Sequence, residues 1–199
     1  RSVDGGDTWT RQEPLPQSGF PAWRGVAMSS NGQTMYACAL NSGIFISLDK
    51  GTTWAQAFDA LSQPIAPNCL AVAASSDGSK AYIAESTGYV YKTSNFGQDW
   101  EQKGGSRSWT AVATSDDGVF VFATAAIDFI FASYDSGVTW DTTDSFRNWQ
   151  SVSVSGNGSV VIATDGTDIY ESSDFGQNFN VQGKFLANRT WTSLNLSRD

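Results

Sequence analysis

Any chemistry done by this chain has to come from carboxylates, arginines and hydroxyls, because its 199 residues include no histidine and only two cysteines. Lack of an imidazole removes the commonest general base, the usual zinc ligand and any Ser-His-Asp relay. The carboxylates that recur most regularly are Asp4, Asp49, Asp135 and Asp174, each third in an eight-residue frame S-x-D-x-G-x-T-W, with Asn95 in the same place of a further copy. A repeated carboxylate suits acid catalysis or a cation, but its companions here belong to a turn. The glycine takes the positive φ of a tight hairpin, while Asp and Ser oxygens accept bonds from turn amides. The frame closes on Trp9, Trp54, Trp100, Trp140 or Phe179, large side chains whose burial stabilises by about 2 to 3 kcal/mol and whose indole N–H needs an acceptor from the motif's own polar groups. These Asp residues read as turn fasteners, and the sequence assigns no catalytic residue, no metal ligand and no cofactor.

The elements that position the motif follow from its spacing. Its last residues stand at 9, 54, 100, 140 and 179, in steps of 45, 46, 40 and 39, a period typical of tandem repeats. Between copies runs a second signature, a short strand headed by Trp23, Trp109, Trp149 or Trp191, with Cys69 in that place once. Each of the first four such strands enters an Asn-Gly or Asp-Gly turn (Asn31, Asp77, Asp117, Asn157), a strong hairpin signal. A β-branched and aromatic strand follows, then a third, then the motif and a fourth. No helical pattern intervenes. Four antiparallel strands per repeat predict an all-β chain of propeller blades, with blades at 21–66, 67–107, 108–148 and 149–186, the end of a blade at 1–20 and the first strand of another at 187–199. Two readings of the ends stand: the termini share a composite blade in a closed ring, or the chain is an excerpt of a longer one.

Composition sets limits on partners. A net charge of −8 and a pI near 4.4 repel nucleic acid and anionic membrane surfaces, and no apolar run is long enough to span a bilayer as a helix. Cys38 and Cys69 either pair or stay free; the repeat places both on one side of neighbouring blades, close enough for a disulfide if their Cα atoms lie within about 7 Å. Sequons at Asn157, Asn188 and Asn195 fit N-glycosylation, at a frequency that chance also produces in a chain rich in Ser and Thr.

The motif at this spacing resembles the Asp-box (BNR) repeats, and the resemblance covers nearly the whole chain. It implies a propeller with Asp-box hairpins between third and fourth strands, a scaffold shared by sialidases, xyloglucan-type glycosidases, sortilin-type receptors and photosystem assembly factors, so it identifies fold and not function. The arginine triad and Tyr–Glu pair that sialidases use have no counterpart here. Two facing carboxylates of a glycosidase are harder to exclude. Sites are expected on the face opposite the Asp-box hairpins, where loops differ between blades: Glu85, Asp128, Asp165 and Asp168, placed toward the axis, with Arg107 and Arg147. The first reading is a non-enzymatic interaction or scaffold module, secreted or at the cell surface and part of a larger chain or assembly, binding protein partners or glycans. The alternatives are a carbohydrate-binding or glycoside-hydrolysing propeller and an intracellular assembly factor of the photosystem type.

Overall fold

A computed structural model describes residues 1–2, 4–11, 21–59, 63–66, 68–182 and 190–197. Sixteen strands and no helix occur among them. They form four antiparallel sheets, each of four strands taken in chain order. The first sheet comprises β1 (Ala22–Met28), β2 (Met35–Leu40), β3 (Gly43–Ser47) and β4 (Ala55–Gln56). The second comprises β5 (Cys69–Ala74), β6 (Ala81–Glu85), β7 (Gly88–Thr93) and β8 (Glu101–Arg107). The third comprises β9 (Trp109–Thr114), β10 (Val121–Ala125), β11 (Asp128–Ser133) and β12 (Asp141–Arg147), and the fourth β13 (Ser151–Val154), β14 (Val161–Thr164), β15 (Ile169–Ser172) and β16 (Asn180–Val181). These are propeller blades, and the all-β expectation holds. Residues 190–197 lie beside β13, where Leu194 and Leu196 donate backbone N–H to Ser151 and Ser153 Oγ.

Each blade carries two fastened turns on one face. In the Asp-box of the first blade, Ser47 Oγ accepts the Gly51 N–H at 2.8 Å and donates to Asp49 Oδ1 at 2.8 Å. Asp49 Oδ1 accepts the amides of Thr52 and Thr53, and Oδ2 the Thr53 hydroxyl at 2.6 Å. The third and fourth blades repeat this through Ser133–Asp135–Thr139 and Ser172–Asp174–Asn178. The second blade inverts one contact. Asn95 Oδ1 takes the turn amide of Asp99, and Asn95 Nδ2 donates to Asp99 Oδ2 at 2.8 Å, so donor and acceptor trade places while the bond survives. The residue before the Asp-box glycine also has positive φ, 61° at Lys50 and 59° at Phe96, which the glycine signal alone did not announce. The other turn is built around Ser29, Ser75, Ser115 and Ser155, whose hydroxyls bond the Asn or Asp two residues on and accept the amide five residues on. Asn157 is such a fastener, its Oδ1 accepting the Ser159 amide at 3.0 Å.

The two turns dock on each other, Lys50 N–H to Gln33 C=O at 3.1 Å and Phe96 N–H to Ser79 C=O at 2.9 Å, so both lie on one face. Along that face the second turns chain from blade to blade, through Ser30 N–H to Ser76 C=O, Ser76 N–H to Asp116 C=O and Asp116 N–H to Gly156 C=O. Beneath them Tyr36 and Tyr82, fully buried, reach across to the carbonyls of Gly78 and Gly118 at 2.8 and 2.7 Å.

Trp54, Trp100, Trp140 and Phe179 are half-buried and not fully buried as expected; the last three lie across the junction between two sheets. Trp100 meets Tyr36 of the preceding blade edge-on at 6.3 Å, and Trp140 and Phe179 pack with the clusters around Tyr82 and Phe122. Trp9 is 75% exposed, with no described blade before it. The indole N–H of Trp9, Trp54, Trp100 and Trp140 donates to the carbonyl of its own motif glycine at 3.0, 3.3, 3.1 and 3.2 Å. The first strands line a central cavity of about 1030 Å³, to which one repeat position contributes Arg24, Leu70, Thr110, Gln150 and Thr192. Val26 and Met28 of β1 are 79% and 59% exposed, whereas Val112, Val152, Thr114 and Val154, their equivalents in later blades, are covered by the blade before them.

Cys38 and Cys69 form a disulfide with Cα atoms 5.9 Å apart, joining the end of β2 to the head of β5. Cys69 stands where other blades carry a tryptophan, so a covalent tie between blades replaces an aromatic contact within one. Closing 31 residues of chain stabilises by roughly 3 to 4 kcal/mol on the loop-entropy estimate. Replacing both cysteines by Ala is expected to lower the unfolding free energy by about that amount in urea titration, and the unreduced, unfolded protein should show no titratable thiol.

Acid provides a test of the fasteners. Hydrogen bonds from hydroxyls and amides hold the Asp49, Asp135 and Asp174 carboxyls at about 2, below the ordinary value of 3.8, because they favour the charged form. As pH falls below about 4 the unfolded chain takes up protons that these folded carboxylates refuse, so stability present above that pH is lost progressively toward pH 2. Urea midpoints measured from pH 5 to pH 2 should fall through that window, and Asp135→Asn, which removes one of these carboxylates and puts there the residue that the second blade carries, should flatten the slope.

Candidate functional site

The face opposite the Asp-box hairpins is built from the loops between second and third strands and from the blade-to-blade linkers. The two sets are bonded together: Ser86 N–H donates to Asn68 C=O at 3.0 Å and Ala126 N–H to Ser108 C=O at 2.8 Å. The fourth strands β8 and β12 bulge here and then pair again, Arg107 opposite Gly88 and Arg147 opposite Asp128. The bulges are carried by positive φ at Gly104, Gly105 and Asp144.

The two arginines occupy one repeat position, two residues before Trp109 and Trp149. Arg107 Nη1 pairs with Asp128 Oδ2 at 2.7 Å, and its guanidinium lies 4.2 Å from the centre of the Phe131 ring. Arg147 sits 4.5 Å above Tyr170 and 5.9 Å from Trp149. Trp109 and Trp149 meet these same rings edge-on at 5.1 and 5.0 Å. The outcome is an Arg–aromatic–Trp stack repeated in two blades. Stacking spreads the cation over a ring face and holds the planar fork in one orientation, so each guanidinium is a pre-set donor for carboxylate or carbonyl oxygens. Sequence reading found the arginines but missed Phe131 and Tyr170, whose signal is an aromatic residue two places before the Asp-box serine.

The acidic candidates do not converge. Among the described residues no Asp or Glu lines the central cavity, whose lining includes none of the second-to-third-strand loops. Glu85 is 4% exposed and accepts the Asn68 N–H at 3.2 Å, so it fastens its loop and is not part of an open rim. Asp128 is spent on Arg107 and on the Phe129 amide. Asp165 Oδ1 accepts the Thr167 and Asp168 amides and Oδ2 the Tyr170 hydroxyl at 3.0 Å. Its carboxyl is held below the ordinary value by these bonds against opposing burial, while burial and Asp165 push the Tyr170 phenol up to about 12. Asp168 is half-buried beside it. No group of three metal-ligating side chains occurs among the described residues. Asn195 approaches Ser153 Oγ at 3.5 Å, and Asn188 lies outside the described residues.

The chain matches the family described as photosynthesis system II assembly factor YCF48 over residues 1–197. No curated protein matches the sequence. Among solved structures, one of YCF48 bound to a D1 peptide is similar at a TM-score of 0.65 and 14% identity, covering 89% of this chain and 57% of that one. YCF48 from Cyanidioschyzon merolae is similar at 0.63 and 13%, covering 90% and 61%. An ancestral GH74 enzyme reaches 0.70 and 18%, covering 90% of this chain and 26% of that one. This chain therefore spans less than two thirds of each of these three structures, and the likeness to them is one of fold.

Glu85 supplies a sharp test of the rim. Replacing a carboxylate on an exposed loop would leave stability nearly untouched, whereas the burial of Glu85 and its bond to Asn68 predict a loss. Glu85→Ala should lower the unfolding free energy by about 1 to 3 kcal/mol, the cost of leaving a partly buried N–H without its acceptor, as read from urea unfolding at neutral pH.

Proposed function

The chain belongs to the photosynthesis system II assembly factor YCF48 family, and from that premise we propose that it is a non-enzymatic scaffold whose loop face holds a polypeptide of a photosystem during assembly. The observation that carries the reading is the family match along residues 1–197. The D1 peptide bound by a YCF48 of the same fold supports it, as do the stacked guanidinium groups of Arg107 and Arg147, which suit the carboxylates and carbonyls of an extended chain. Glu85, Asp128 and Asp165 are already engaged as acceptors, which weighs against a glycosidase pair. The Cys38–Cys69 disulfide favours an oxidising, extracytoplasmic compartment, since such bonds persist where thiols are not kept reduced.

Isothermal titration with a synthetic D1 peptide tests the reading. Saturable binding is expected, weakened about tenfold or more by the double replacement Arg107→Ala and Arg147→Ala if these residues anchor the peptide. Absence of saturable heat with the folded protein would overturn it.

A further inference from the structure

One residue of the loop face stands against the conformational grain of the chain. Ile127, in the loop between β10 and β11, has φ of 53° and is 66% exposed. A β-branched residue is strained in the left-handed region, and an exposed isoleucine gains nothing from burial to offset that. The same repeat position in the first blade is Asn41, φ 63°, a residue type that enters the region easily. The loop cannot relax to a softer shape without loss, because the Ala126 amide is bonded to Ser108 C=O and the Phe129 amide to Asp128 Oδ1, whose other oxygen holds Arg107. Ile127 is therefore a fixed apolar knob.

Its surroundings extend the patch. Phe146, 57% exposed, meets Phe129 edge-on at 5.8 Å on the same loop edge. On the other side stands Arg107, its side chain 38% exposed, paired through one nitrogen and resting on Phe131. Persistent strain at an exposed position points to a functional use of the conformation, and a rigid apolar anchor beside a stacked arginine is the composition of an interface hot spot, with little ordering entropy left to lose on binding.

We propose that Ile127 and Phe146 form the apolar anchor of a polypeptide-binding site, taking an apolar side chain of the partner while Arg107 takes a carboxylate next to it in the partner's sequence. The inference rests on the reading of the loop face as a polypeptide-binding surface, but not on which polypeptide is bound. A carboxylate is the fitting charge because the cation of the patch is an arginine with donors to spare, in a chain otherwise at −8 that would repel acidic segments elsewhere.

The test is selection of a random twelve-residue peptide library, displayed on phage, on the whole chain, followed by fluorescence polarisation of the enriched peptides. Enriched sequences should carry an apolar or aromatic residue within a few positions of Asp or Glu. Ile127→Gly should weaken their binding at least tenfold and at the same time raise the urea midpoint, because glycine relieves the strain. A merely structural role for Ile127 would not produce that opposition of signs. Val138→Ala, at an exposed apolar position of the Asp-box face, should leave the affinity unchanged. The proposal is overturned if no peptide is enriched, if the enriched peptides bind Ile127→Gly as tightly as the parent, or if sedimentation shows a parent dimer that Ile127→Gly dissolves, which would make a second copy the occupant. A D1 peptide run in parallel separates the two readings: library peptides that need Ile127 while the D1 peptide fails to bind would sustain this site and remove the photosystem partner.

Discussion

The grip of one blade on the next at the Asp-box glycine is the constraint from which the rest follows. Gly97, Gly137 and Gly176 take positive φ at 81°, 77° and 78°, but conformation is only half of their use. A Cβ on Gly137 would stand 3.0 Å from the ring of Tyr82, and one on Gly97 or Gly176 would collide with Ile46 or Phe122 of the preceding blade. The hairpin therefore has to be both sharply turned and bare of side chain at one point, and the serine and aspartate bonds hold it there while the neighbouring aromatic slides under. The tryptophan that ends the motif then closes the junction from the side. A turn that seems local is in fact the contact between sheets, and its repetition sets the angle from blade to blade.

That division explains which features could be read in the sequence. Strand order, turn positions and the fastening role of Asp49 or Asp135 depend on residues within eight positions of one another, and local chemistry repeated five times makes them visible. The half-burial of Trp100 and Trp140 was not visible in the same way, because what covers these rings is a separate sheet whose distance no pattern of alternation reports. The Asn95–Asp99 inversion could have been found, since an amide at the third place paired with a carboxylate at the seventh preserves one donor and one acceptor. The candidate site was less legible. Arg107 and Asp128 are 21 residues apart and belong to adjoining blades, and Glu85 differs from an exposed rim carboxylate only because the linker at Asn68 returns across it.

The blade junctions also show how the family pattern tolerates a change of chemistry. In three blades the head of the first strand is an indole packed on its own third strand, against Phe45, Phe131 or Tyr170. In the second blade a smaller side chain at Cys69 would leave that contact unmade, and the bond to Cys38 anchors the strand to the previous blade instead. The substitution exchanges a dispersion contact for a covalent tether, and with it makes that junction depend on the redox state of its surroundings.

The two faces consequently answer to different physics. On the Asp-box face nearly every polar atom is used within its own turn, and the carboxylates that recur there have no acceptors left for a ligand. On the opposite face the bonds are fewer and irregular, one linker per loop, and what the repeats share is a cation laid on an aromatic ring. Because Asp128 engages one nitrogen of Arg107 and the Asp165 oxygens are bonded to their own loop, the charge this face leaves for a partner is on the remaining guanidinium donors of its arginines. Its discriminating features are those donors together with shape and apolar contact. Selectivity on such a scaffold has to reside where blades differ, and the strained loop at Ile127, where the first blade has Asn41, is the clearest such difference in the described chain.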